Sequence, residues 1–187
     1  MTRRLVGWIA LLCVAASGGA CASRKEGTDM PAPGGTEGST LAAPLQCAMS
    51  VPPQVKAGEP VQVTFRLTNP TAKPVYILRW STPLEGLLSN CLEITHAGTE
   101  LQYQGPMFKR GNPEADEYIT IAPGASVENT IEAQLAYDFS KPGPYRIAFR
   151  GPVRDATSNQ AEVPRPLAQH RELPVQCQAV ETQIVSP

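Results

Sequence analysis

Val61-Gln62-Val63-Thr64-Phe65-Arg66-Leu67-Thr68 alternates apolar and polar residues along its whole length. Successive side chains of a β-strand point to opposite faces. Val61, Val63, Phe65 and Leu67 therefore share one face, and Gln62, Thr64, Arg66 and Thr68 share the other. That period of two predicts a half-buried antiparallel strand, ended by Asn69-Pro70-Thr71. Next, Pro74-Val75-Tyr76-Ile77-Leu78-Arg79-Trp80 is bulky and apolar on both faces, as a central strand should be. Ser81-Thr82-Pro83-Leu84-Glu85-Gly86 turns out of it.

The rest of the chain repeats this style. Residues 45–50 read as a first strand, broken by Val51-Pro52-Pro53, and Ala57-Gly58-Glu59-Pro60 makes a turn. Residues 91–95 and 99–103 flank His96-Ala97-Gly98 and predict a hairpin. Residues 107–117 form a polar loop, followed by a short strand over 118–121. A further strand is expected over 127–135, with Val127, Ile131 and Leu135 inward. After the Lys141-Pro142-Gly143-Pro144 turn, Tyr145, Ile147 and Phe149 alternate with Arg146, Ala148 and Arg150. A second polar loop covers 151–171, and residues 173–180 read as the last strand. Roughly eight or nine short strands without a long helical period predict an all-β, immunoglobulin-like antiparallel β-sandwich. Trp80, late in a central strand, suits the core of such a fold. Tyr145, at a strand start, suits its tyrosine corner; a merely buried Tyr is the plain alternative.

The chain has 187 residues, a net charge of −1, 19 prolines and 15 glycines. No clustered basic face points to nucleic acid. Arg3 and Arg4 precede a short apolar run over 5–16 and the small residues Ser17-Gly18-Gly19-Ala20. This pattern predicts a signal peptide over 1–20, too short for a good transmembrane span. Cys21 follows directly, as in a bacterial lipobox, although Gly18 stands where a Leu is usual. A lipid on Cys21 would tether the chain to a membrane without spanning it. Ordinary cleavage near Ala20 or Ala22, with a spare Cys, is the other reading. Ala22-Ser23 after the Cys leans towards the outer membrane, facing the periplasm; a periplasmic or secreted protein is the alternative. Residues 21–44 hold the anchor and a Pro- and Gly-rich linker that cannot bury enough apolar surface to offset its ordering entropy. The sandwich is expected over 45–180 and a tail over 181–187.

Several segments together resemble one known module. They are Pro60-Val61-Gln62-Val63-Thr64-Phe65-Arg66-Leu67-Thr68-Asn69, Pro74-Val75-Tyr76-Ile77-Leu78-Arg79-Trp80-Ser81-Thr82-Pro83-Leu84-Glu85-Gly86, Ile121-Ala122-Pro123-Gly124-Ala125-Ser126, and Ala136-Tyr137-Asp138-Phe139-Ser140-Lys141-Pro142-Gly143-Pro144-Tyr145. Their order and spacing resemble the N-terminal, non-catalytic β-sandwich of deuterolysin-like, lysine-specific zinc endopeptidases, over about residues 45–150. In that family the resemblance implies a pro-region-like role beside a peptidase domain. That peptidase domain carries a His-Glu-x-x-His helix, in which two His bind zinc and the Glu acts as base. Here His96 and His170 are the only histidines and neither begins that motif. The stretch after the sandwich is also too short for a catalytic domain. The expectation is a sandwich standing alone, with no catalytic residues, no metal and no cofactor.

Cys47, Cys91 and Cys177 remain in the exported chain, and export permits disulfides. Cys47 lies in the expected first strand and Cys177 in the last, which favours a Cys47–Cys177 bridge with Cys91 a buried thiol; a bridge from Cys47 to Cys91 is the alternative. A blue-copper site would need a second His before the Cys, and none precedes Cys91. No Gly-x-Ser-x-Gly turn supports serine catalysis. Contact with another protein is expected at the end loops over 81–88 and 107–117, through Ser81, Thr82, Pro83, Leu84, Glu85, Lys109 and Arg110. Trp80 and Leu84 are also candidates for the core. The expected role is a protein-binding module whose partner is an envelope or secreted peptidase; a structural envelope lipoprotein without a ligand is the alternative.

Overall fold

The computed structural model describes residues 45–186. The expected signal peptide, Cys21 and the expected linker lie outside the described residues. The described residues form eleven strands: β1 (Gln46–Ser50), β2 (Gln54–Lys56), β3 (Gln62–Thr68), β4 (Val75–Leu78), β5 (Leu92–His96), β6 (Thr99–Glu100), β7 (Tyr118–Ile121), β8 (Ser126–Glu132), β9 (Gly143–Phe149), β10 (Ala156–Thr157) and β11 (Val180–Val185). Their pairing makes an immunoglobulin-like β-sandwich. One sheet runs β1-β3-β8 and the other β2-β11-β9-β5-β6. All pairs are antiparallel except β2 with β11.

The alternation in β3 is what joins the two sheets. Val61 and Val63 pack with Leu92, Ile94, Tyr145 and Ile147 of the five-stranded sheet. Phe65 and Leu67, on the same face, pack with Leu45, Val75, Ile77 and Val153. The polar face carries cross-strand pairs: Thr64 with Thr130, Arg66 with Glu128, and Thr68 with Ser126. Tyr145 is buried at the start of β9, and its hydroxyl donates to Lys141 O at 2.9 Å. This is the tyrosine corner expected from the sequence. Ala97 and Gly98 both take positive φ, 48° and 78°, and so close the β5–β6 hairpin in the way a two-residue loop of matching twist requires.

The Cys47–Cys177 bridge is present, and Cys91 is a free buried cysteine. Burial pushes the Cys91 thiol up to about 12, so it stays protonated and inert at neutral pH. Cys177 is not in the last strand, however. It lies in the segment before it, bridged to Cys47 in parallel. The last strand is Val180–Val185 rather than 173–180, with Thr182 and Ile184 buried. Pro174 cannot donate to a ladder, so the preceding segment makes only isolated bridges. Residues 181–185, expected as part of a tail, thus belong to the sandwich.

Two further expectations are corrected. Leu135 is 72% exposed, because the chain leaves the β-period at Ala133–Leu135, a 3-10 turn that buries Ala133 instead. The stretch from Val75 to Trp80 is not central to either main sheet. β4 is the middle strand of a separate three-stranded sheet, β10-β4-β7. Trp80 packs in a small cluster with Leu78 and Tyr118, outside the clusters that fill the sandwich. Its burial is real, but it belongs to one end of the molecule.

The loop over 151–171 is held by charge. Asp155 is fully buried and accepts from Tyr118 Oη (2.7 Å), Arg165 Nη1 (2.5 Å) and Arg171 N (2.7 Å). Arg165 is itself buried and also pairs with Glu162. A buried ion is tolerable only while it is paired and hydrogen-bonded. Asp155→Asn keeps the shape but leaves the buried Arg165 with Glu162 as its remaining carboxylate partner, so it is expected to lower unfolding stability by about 1–3 kcal/mol. Chemical denaturation of the two proteins measures this. A loss below about 1 kcal/mol would mean that Asp155 is not what compensates Arg165.

Candidate functional site

Three loops meet at the Trp80 end of the molecule. The turn over 81–89 is shaped first by local chemistry. Thr82 Oγ1 accepts from Leu84 N at 3.2 Å and donates to Arg79 O at 2.6 Å, capping the 3-10 turn Pro83–Glu85. Gly86 ends that turn at φ 87°, a conformation that costs glycine little. Asn129 Nδ2 donates to Pro83 O at 2.9 Å, so the turn rests against β8 and partly covers its open edge.

The loop over 104–117 is fastened to this turn by Arg110. Its guanidinium lies 4.7 Å from the Trp80 ring centre, within reach of a cation–π contact. It pairs with Glu85 at 2.7 Å and with Glu117 at 3.7 Å. Trp80 Nε1 donates to Glu117 Oε1 at 2.7 Å, which closes the network. The Glu85 side chain is only 3% exposed. Burial pushes its carboxyl up, opposed by the hydrogen bond from Ser81 N and by the Arg110 charge.

The loop over 151–171 supplies the third wall, anchored by Asp155 and Arg165. Asn112 Oδ1 accepts from Leu167 N at 3.1 Å, linking this loop to the second one. Between the three lies an open cleft of about 460 Å³. Leu88, Phe108 and Leu167 are large, exposed apolar residues that line it, with Trp80, Arg110 and His170 among the other lining groups.

This geometry sorts the residues expected to make contact. The structure brings the two end loops together, as the sequence reading required. Thr82 and Pro83 are buried, Glu85 is nearly so, and Leu84 packs against the core. Thr82 and Pro83 thus serve as framework, while Leu84 and Glu85 stay partly buried at its surface. Ser81 and Arg110 line the cleft, and Lys109 is exposed beside it. Sequence reasoning missed the third wall altogether. Leu167, a lone large apolar residue in a polar run, was the one local signal for it.

Among the described residues, no group of three or more His, Cys, Asp or Glu side chains is placed to hold a metal ion. His96 stacks on Tyr145 at 4.4 Å, with Nδ1 3.1 Å from Pro144 O. His170 Nε2 lies 3.0 Å from Arg165 O. Both rings are thus engaged with the fold. Among the described residues, no helix is long and apolar enough to cross a membrane.

No protein-family model matches the chain. It is 30% identical over 117 residues to an extracellular protease of Aeromonas hydrophila, covering 60% of this chain and 33% of that protein. It is 23% identical over 137 residues to a neutral protease 2 homolog of Arthroderma gypseum, covering 67% of this chain and 38% of that one. A neutral protease 2 homolog of Uncinocarpus reesii is 28% identical over 133 residues, covering 64% and 37%. These relatives bear out the resemblance to deuterolysin-like proteases over part of the chain. The chain spans about a third of the length of the relatives it matches. A CARDB domain of Pyrococcus furiosus, solved in complex with di-metal ions, is similar over 75% of this chain and 87% of that one, at 12% identity and a TM-score of 0.31. The fold described above rests on strand pairing and not on that likeness.

The third wall should respond to acid through Glu162. The hydrogen bond from Arg165, with a second from Thr157, holds the Glu162 carboxyl below its ordinary value. A depressed folded value means that the stabilisation is present above the unfolded carboxylate value and is lost as pH falls through the folded one. Protection factors for amide exchange over 158–171 are therefore expected to fall as pH drops below the ordinary carboxylate range. Glu162→Gln should remove most of that pH dependence, and an unchanged profile in the variant would assign it to another group.

Proposed function

We propose that the protein is an exported, lipid-anchored, non-enzymatic module that binds an envelope or secreted peptidase and blocks it by occlusion. The observation that carries this reading is the end face. Leu88, Phe108 and Leu167 are exposed together around one cleft, on loops held by buried charge. Clustered apolar surface rimmed by polar residues is what a protein contact site needs. Loops already fixed in the bound geometry lose less entropy on binding. The peptidase is chosen as partner because the relatives are proteases and this chain corresponds to only part of their length.

Pull-down from envelope extract tests the proposal, with an oxidised, lipid-free chain carrying Cys21→Ser as bait. The expected result is a saturable peptidase whose activity falls with occupancy. Leu88→Ser together with Leu167→Ser should weaken that binding at least about tenfold. Undiminished binding would remove the end face from the interface. A specific partner that is not a peptidase would keep the binding module and discard the peptidase. If no partner is found, the structural envelope role takes its place.

The lipid anchor is a separate part of the proposal. Cys21 follows Gly19-Ala20 at the end of the signal pattern, and acylation there would hold the sandwich at the outer membrane on its linker. Radiolabelled palmitate should enter the wild-type chain and not Cys21→Ser, and the variant should move from the membrane to the soluble fraction. Equal labelling of both would exclude Cys21 as the acylated residue.

A further inference from the structure

The loop that carries Lys109 is exposed at its tip and fastened on both sides. On one side, the Tyr103 hydroxyl lies 2.8 Å from both Leu87 O and Pro106 O, and donates to one of them at a time. Gly105 makes this possible, since a Cβ there would lie 2.5 Å from the Tyr103 hydroxyl oxygen. Gln104 N donates to Ala136 O at 2.8 Å, which ties the same side to the sandwich. On the other side, Arg110 is pinned between Glu85 and Glu117 over Trp80. Pro113 beyond it is buried.

Between these ties stand Met107, Phe108 and Lys109. Met107 is 79% exposed and Phe108 59% exposed. Lys109 is exposed and has no ion pair among the described residues, whereas its neighbour Arg110 has two. Burying a side chain as large as Phe is worth about 1.5–3 kcal/mol relative to leaving it in water. A protein that holds two such side chains outward, on a base built to keep them there, leaves that gain for a partner.

We propose that Met107, Phe108 and Lys109 are the segment that enters the substrate cleft of the partner. This rests on the reading above that the partner is a peptidase, and it narrows that peptidase's chemistry. Its cleft offers an apolar pocket for Phe108 or Met107 and acidic groups beside it for the unneutralised Lys109. The Leu88 and Leu167 rim then packs around the mouth of that cleft. The ties at Tyr103 and Arg110 keep the segment in one shape, so that it occupies the cleft without being released as a cut peptide.

The test uses the full chain and the extracellular protease of Aeromonas hydrophila, with a fluorogenic peptide as substrate. The expected result is competitive inhibition, with KM raised and kcat unchanged. Phe108→Ala and Lys109→Ala should each weaken inhibition at least about tenfold. Their circular dichroism should match wild type and their unfolding midpoints should stay close to it, because both residues are exposed and Phe108 touches the fold chiefly through Arg110, 5.8 Å from its ring centre. Leu135→Ala, exposed but not lining the cleft, should change nothing. Inhibition that survives Phe108→Ala, Met107→Ala and Lys109→Ala but is lost in Leu88→Ser with Leu167→Ser would overturn this inference and leave the binding face standing. Rapid cleavage between Met107 and Arg110, read by mass spectrometry, would make the loop a substrate and overturn it as well. An absence of inhibition by the wild-type chain would overturn both this inference and the peptidase reading.

Discussion

A carboxylate removed from water must be compensated on the spot, and Asp155 is the place where this molecule depends on that rule. Its side chain is fully buried, and it accepts from Tyr118 on β7, from Arg165, and from the backbone of Arg171. Its own carbonyl accepts from Leu78 N on β4. One residue thus fastens the loop over 151–171 to the small third sheet. Swinging the loop away would break the ties from Tyr118 and Leu78 to Asp155 and expose the Asp155–Arg165 pair to water. The polar loop is therefore as much a part of the fold as the strands.

The same logic recurs on the other side of the cleft. Arg110 sits between two carboxylates and over an aromatic ring, joining the Trp80 turn to the loop that carries Phe108. The main sandwich is held by Val, Ile, Leu and Phe side chains from two sheets. Its end face is held instead by two buried or half-buried ionic networks. Hydrophobic packing tolerates sliding more readily than an ion pair with fixed donors does. The loops are consequently held in place by these ties, and Met107, Phe108 and Lys109 stand exposed between them.

The relatives give this arrangement a setting. They are proteases about three times as long as the matched region, so this chain corresponds to one part of them. The Trp-Ser-Thr-Pro-Leu-Glu-Gly stretch that carries much of the resemblance contributes to that face as scaffolding. Thr82 caps, Glu85 receives Arg110, and Pro83 leans on β8. Within the same stretch, Trp80 and Ser81 line the cleft that this scaffolding shapes.

Much of the fold was legible from residues 45–186 alone. The period of two in Val61–Leu67, the turn residues between strands, and Tyr145 at a strand start depend on local geometry, and each predicted what the structure contains. The bridge from Cys47 was narrowed to two pairings by export and strand order, and the structure holds the one to Cys177. What only the tertiary structure decided was non-local. Whether Val75 to Trp80 joins the main sheets or a third one depends on partners about forty residues away in β7 and farther still in β10. Whether Asp155 and Arg165 are solvated or buried depends on whether each finds the other, along with Tyr118 and Glu162. A strand's period is written in consecutive residues, while the burial of a charge is settled by who stands across from it.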